Sequence, residues 1–143
     1  MAKRPNEFLQ QAVVMAYDHI EVTADTVVKL WKVPTGKTFR LDLVEYINVT
    51  GLAADNSNFF EVGIKNGSTL MAAWNTDGNG TTTGINGGAT EGTIAADTFV
   101  SLTNSSTDTN LIAVAGDVLS LSLDETGTQT LPAGRVVIHG RYV

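Results

Sequence analysis

Histidine is scarce in this chain: His19 and His139 are its only imidazoles, and it has no cysteine. Metal centres and acid–base catalysis lean on those side chains, so the chemistry on offer is narrow. His139 stands at alternate positions with Arg135 and Arg141, and alternate residues of a strand share a face. Three potentially positive groups on one face could dock a carboxylate-bearing partner. The same pattern suits the solvent face of an edge strand, where charge discourages aggregation. His19, beside Asp18, reads as half of a turn pair. Asp124 and Glu125 are adjacent carboxylates, but strand neighbours point to opposite faces and make poor acid–base partners.

Two loop motifs fail on their own requirements. Gly36-Lys37-Thr38 has the end of a phosphate-binding loop, yet Trp31 occupies the place of its first Gly. A strand pattern follows Thr38, where the motif needs a helix N-terminus. The run from Asn75 to Gly80 imitates the start of a calcium loop. It begins with Asn rather than Asp and has Asn86 where the bidentate Glu belongs. Trp31 and Trp74 could stack on sugars, Trp74 more plausibly because it borders a Gly-rich stretch. Isolated Trp in a β domain more often packs into a core or interface. No cofactor or metal is expected.

The elements that would carry these residues are strands. At 143 residues with 17% charged side chains, the chain is one domain's length and poor in charge. Thr, Asn, Ser and Gly fill the difference, as short strands and many turns require. Charge is uneven: residues 1–40 carry a net +2, residues 41–134 a net −10 and residues 135–143 a net +2. So acidic a centre argues against nucleic acid as a partner, because phosphate contacts need clustered Lys and Arg. No apolar run reaches the length of a membrane helix. The apolar stretch Ala12 to Ala16 after Lys3 and Arg4 is too short for a secretory leader, so synthesis in the cytoplasm is expected.

Val33-Pro34-Thr35-Gly36 predicts a turn, followed by Phe39, Leu41 and Leu43 alternating with Arg40 and Asp42 as in a half-buried strand. Glu45 interrupts the apolar face, which predicts a bulge near Val44-Glu45 that turns Val44 or Tyr46 inward. Similar turns precede Val118 to Leu123 (Ala115-Gly116) and Val136 to His139 (Ala133-Gly134). Further strands are expected at Val13 to Tyr17, Ile20 to Thr23, Thr26 to Val33, Thr98 to Thr103 and Leu111 to Val114. Thr26 to Val33 is apolar on both faces, which suggests cover on both sides. A hairpin is expected about Asn66-Gly67. Residues 75–92, with six Gly, predict a projecting loop. The expectation is an all-β antiparallel sandwich, jelly-roll-like, over residues 13–143, with an N-terminal arm at residues 1–12.

Three stretches carry a resemblance: VPTGKTFRLDLVEYINVTGLAADNSNFFEVGIKNG, GTIAADTFVSLT and AGDVLSLSLDETGTQTLPAGRVVIHGRYV. Together they resemble bacteriophage head decoration (cement) proteins. The resemblance implies a non-enzymatic β domain on the outside of an assembled virion, bound to the major capsid protein and often trimeric at local threefold positions. It implies that an arm, here with Lys3, Arg4, Phe8 and Leu9, reaches over neighbouring subunits. Trp31, Trp74, Arg135, His139 and Arg141 are the remaining candidates for interface or ligand contact. A carbohydrate-binding or host-recognition module of the same β class, using Trp74 and the Gly-rich loop, is the alternative.

Overall fold

The computed structural model describes residues 11–78 and 92–143. The described residues form ten strands: β1 (Ala12–His19), β2 (Thr26–Lys32), β3 (Thr38–Asn48), β4 (Phe59–Asn66), β5 (Thr69–Asn75), β6 (Val100–Ser101), β7 (Thr103–Asn104), β8 (Ile112–Val114), β9 (Val118–Thr126) and β10 (Gly134–Tyr142). A short 3-10 turn at Asp108–Leu111 precedes β8. The first sheet runs β1-β10-β3-β6, with β8 also on β3; the second runs β2-β9-β4-β5-β7. All pairings between these strands are antiparallel.

Apart from the β4–β5 hairpin, successive strands alternate between sheets, and the crossings are themselves paired. The β1–β2 crossing meets the β9–β10 crossing at Val22 and Leu131. The β2–β3 turn meets the β8–β9 turn, where the Gly116 amide donates to the Val33 carbonyl (3.0 Å) and the Val33 amide to Asp117 (2.9 Å). The β3–β4 crossing meets the chain before β6 at Leu52 and Ile94. A long hairpin folded over on itself has this arrangement, which is jelly-roll topology.

The core follows from alternation. Phe39, Leu41, Val44 and Tyr46 of β3 and Val136 and Ile138 of β10 face Phe60, Val62 and Ile64 of β4 and Leu119, Leu121 and Leu123 of β9. The expected inward turn of Val44 and Tyr46 is present, but the bulge sits earlier. Leu41 pairs with Gly140 and Leu43 with His139, so Asp42 is the extra residue. The hairpin turn is Gly67-Ser68, one residue beyond Asn66-Gly67, with Gly67 at φ +59.

Four expectations are corrected. Residues 20–23 hold only the isolated bridge at Val22. β2 is an edge strand rather than one covered on both sides: it pairs only with β9, and Val27 is 64% exposed. β10 lies inside its sheet, between β1 and β3, rather than at an edge. The three turn glycines are not equivalent. Gly36 and Gly116 have positive φ with open space around them, whereas Gly134 is a strand residue where another backbone comes close. The arm residues Lys3, Arg4, Phe8 and Leu9, and the Gly-rich stretch 79–91, lie outside the described residues. Of the predicted loop, Asn75 closes β5 and Thr76 is fully buried.

Candidate functional site

The outer face of the first sheet gathers Arg135, His139 and Arg141, as strand alternation requires. Each of the three already meets a carboxylate. Arg135 donates to Asp18 of β1 through Nε (2.6 Å) and a terminal nitrogen (3.1 Å). His139 Nε2 meets Glu45 of β3 at 2.9 Å, and Arg141 meets the bulged Asp42 at 2.5 Å. The Arg135 guanidinium holds the Asp18 carboxyl below its usual range, and Asp18 in turn raises Arg135. A partner's carboxylate would have to displace one of these, so the ladder mainly fixes the register of β1, β10 and β3.

Beside the Arg135–Asp18 pair the surface opens into a cavity of about 470 Å³. Ile47, Val49 and Phe99 form its apolar side, and Ala133, Gly134 and His19 its end. Val49 is 62% exposed and Phe99 50% exposed, so large apolar side chains border a concave, mostly apolar site.

A buried polar chain holds that end of the site. The Nδ1–H of His19 donates to the Ile20 carbonyl (2.7 Å), which leaves Nε2 to accept from the Tyr46 hydroxyl (2.7 Å). Tyr46 accepts from Asn48 Nδ2 (3.3 Å), which also donates to the Pro132 carbonyl (2.7 Å). Asn48 Oδ1 accepts from the amides of Thr50 (3.2 Å) and Gly51 (2.9 Å). The His19 and Tyr46 rings stack at 5.7 Å. A Cβ on Gly134 would lie 2.5 Å from the Tyr46 hydroxyl, 2.7 Å from the Ile47 carbonyl and 2.9 Å from His19 Nε2, which is why glycine stands there. His19 is thus a buried structural residue at the end of β1 rather than half of a turn pair. Its free lone pair is used, so it is not poised as a base.

Burial lowers the His19 pKa and raises that of Tyr46 to about 12. For His19 the folded value lies below the unfolded one, near 6.5. Above that pH the imidazole is neutral in both states. As pH falls below it, the unfolded chain takes up the proton first, so stability falls until the native pKa is reached. Thermal midpoints should therefore drop between pH 7 and 5, with a shallower drop in His19→Gln; equal slopes would exclude His19 as the cause.

The two tryptophans serve packing. Trp31 lies edge-on to Phe39 (5.2 Å) and tilted to Tyr142 (6.3 Å). Trp74 packs on the core and donates its indole N–H to the Gly92 carbonyl (3.0 Å). Neither joins the cavity, and among the described residues no cluster of His, Asp or Glu could hold a metal ion. Sequence reasoning missed Val49, Phe99, His19, Tyr46 and Asn48 as one site, because only the crossings bring them together.

Fold and cavity together define a jelly-roll sandwich whose first sheet carries an apolar recess fit to hold an apolar group. Neither the protein-family models nor the curated proteins include a match to this chain.

Proposed function

We propose that the chain is a structural protein of a bacteriophage particle that binds the outside of the assembled capsid through the major capsid protein and reinforces the shell. One observation carries this reading: the apolar recess bordered by exposed Val49 and Phe99, beside the side-chain pairs Arg135–Asp18, His139–Glu45 and Arg141–Asp42 on the same sheet face. Large exposed apolar side chains around a concavity are characteristic of protein-binding surfaces. The resemblance of the strand sequences to decoration proteins supports the same role. Many copies on one shell add avidity, so modest contact per copy suffices.

The test is cosedimentation with undecorated capsids. The double variant Val49→Ser, Phe99→Ser is expected to bind at least tenfold more weakly, about 1.4 kcal/mol, with its thermal midpoint nearly unchanged. Deletion of residues 1–11 reports on the arm separately. Full binding by the double variant would refute the recess as the docking site, and no binding by the unaltered protein would refute the function.

A further inference from the structure

Sheet edges offer unpaired backbone groups to other chains, and proteins blunt them with short strands, lysines, prolines or bulges. Three edges of this sandwich carry such devices. β6, β7 and β8 are two or three residues long, and β2 has Lys29, Lys32 and a register shift between Lys29 and Trp31. β1 has none of them. Its eight residues pair with β10 without interruption, and Ala12 to Tyr17 contain neither charge nor proline. Among the described residues no strand lies on its other side.

The direction of its free groups can be worked out. The Tyr142 amide donates to the Gln11 carbonyl (2.9 Å). Antiparallel bonding alternates, so Val13, Met15, Tyr17 and His19 bond to β10, while the N–H and C=O of Ala12, Val14, Ala16 and Asp18 point outward. Side chains of those outward-bonding residues are small except for Asp18, and Val14 is 63% exposed.

We propose that β1 pairs antiparallel with β1 of a second copy about a twofold axis at Met15, joining the two first sheets into one. Outward-bonding residues must face each other, and this register satisfies that over the whole strand. Ala12 lies opposite Asp18, Val14 opposite Ala16, and Met15 opposite Met15. Charge permits the register. Asp18, the strand's one carboxylate and already paired with Arg135, lies opposite Ala12 of the partner rather than its own copy, and the row beyond holds Arg141 and Arg40, themselves paired with Asp42 and Asp108. The segment at residues 1–10 is a poorer occupant of this edge, because Pro5 and three charged residues interrupt it.

Met15→Cys would be the only thiol in the chain. Directly opposed, non-hydrogen-bonded positions bring Cα atoms to about 4.5 Å, within disulfide range. Mild oxidation of this variant should give a covalent dimer, at least tenfold faster than for Ala16→Cys, whose counterpart is Val14. Sedimentation of the unaltered full chain should give a dimer mass. Val14→Pro removes an outward donor and no bond to β10, so it should weaken the dimer at least tenfold with the unfolding midpoint nearly unchanged. Val14→Lys gives the same reading if proline is not tolerated. A monomer at every concentration, the trimer implied by the resemblance, equal cross-linking of the two cysteine variants, or a dimer indifferent to both Val14 variants would overturn the proposal. None of these measurements involves a capsid, so they fail or succeed independently of the proposed function.

Discussion

Gly140→Ala is expected to destabilise the fold by about 3 kcal/mol, and Gly140→Val to leave little native protein. A Cβ at this position would collide with the Phe39 ring and the Arg40 carbonyl. The backbone cannot step aside, because Gly140 pairs with Val13 on one side and Leu41 on the other. The position has no positive φ, so the cost is one of space rather than of conformation. Phe39 is fully buried and held edge-on by Trp31, so its ring cannot swing away either. Urea denaturation gives the size of the effect, and a double-mutant cycle locates it. Phe39→Leu, destabilising alone, should cost at least about 1 kcal/mol less in the Gly140→Ala background, as contacting residues behave. Strict additivity would show that the ring is not the obstacle.

Asn48→Ala should cost about 3 kcal/mol. The side chain is fully buried and makes four hydrogen bonds, to Tyr46, Pro132, Thr50 and Gly51. Truncation leaves a carbonyl and two amides without their partner, and each buried unsatisfied group costs about 1–3 kcal/mol unless water replaces the lost bond. Water entry is the reason to expect the low end of the sum. Because Asn48 ties the crossing after β3 to the one before β10, the loss is also local to the recess. Hydrogen exchange at the Thr50 and Gly51 amides should accelerate more than at β4 or β9. A loss under 1 kcal/mol would mean that the network is not fully formed.

The strands of the core were legible because their apolar residues alternate: Phe39 and Leu41, Phe60 to Ile64, Leu119 to Leu123. The bulge was legible in kind, since Glu45 could not face the core, but Asp42 rather than Val44-Glu45 takes the extra position. β2 misled because apolar residues on both faces suit an edge strand as well as a covered one; Val27 is simply left in solvent. The side-chain pairs of β10 were hidden for another reason. Arg135, His139 and Arg141 meet Asp18, Glu45 and Asp42 through strand register, and register is a relation between distant segments. His19 and Gly134 show the same limit. A His after Asp and a Gly after Pro-Ala look like turn residues, yet both are set by the Tyr46 hydroxyl.

The paired crossings also dictate an order of events during folding. Among the described residues only β4 and β5 are closed by a local turn; β1 finds its neighbour in β10, β2 in β9, and β3 in β10, β6 and β8. A nascent chain carrying its first hundred residues therefore has neither sheet, and β3 waits without the strand that belongs between it and β1. Long-range pairing of this kind places folding in the millisecond-to-second range rather than the microseconds of local topologies. The apolar strands at the start of the chain are most vulnerable to misassociation in that interval, and arrival of the last nine strand residues, Gly134–Tyr142, ends it.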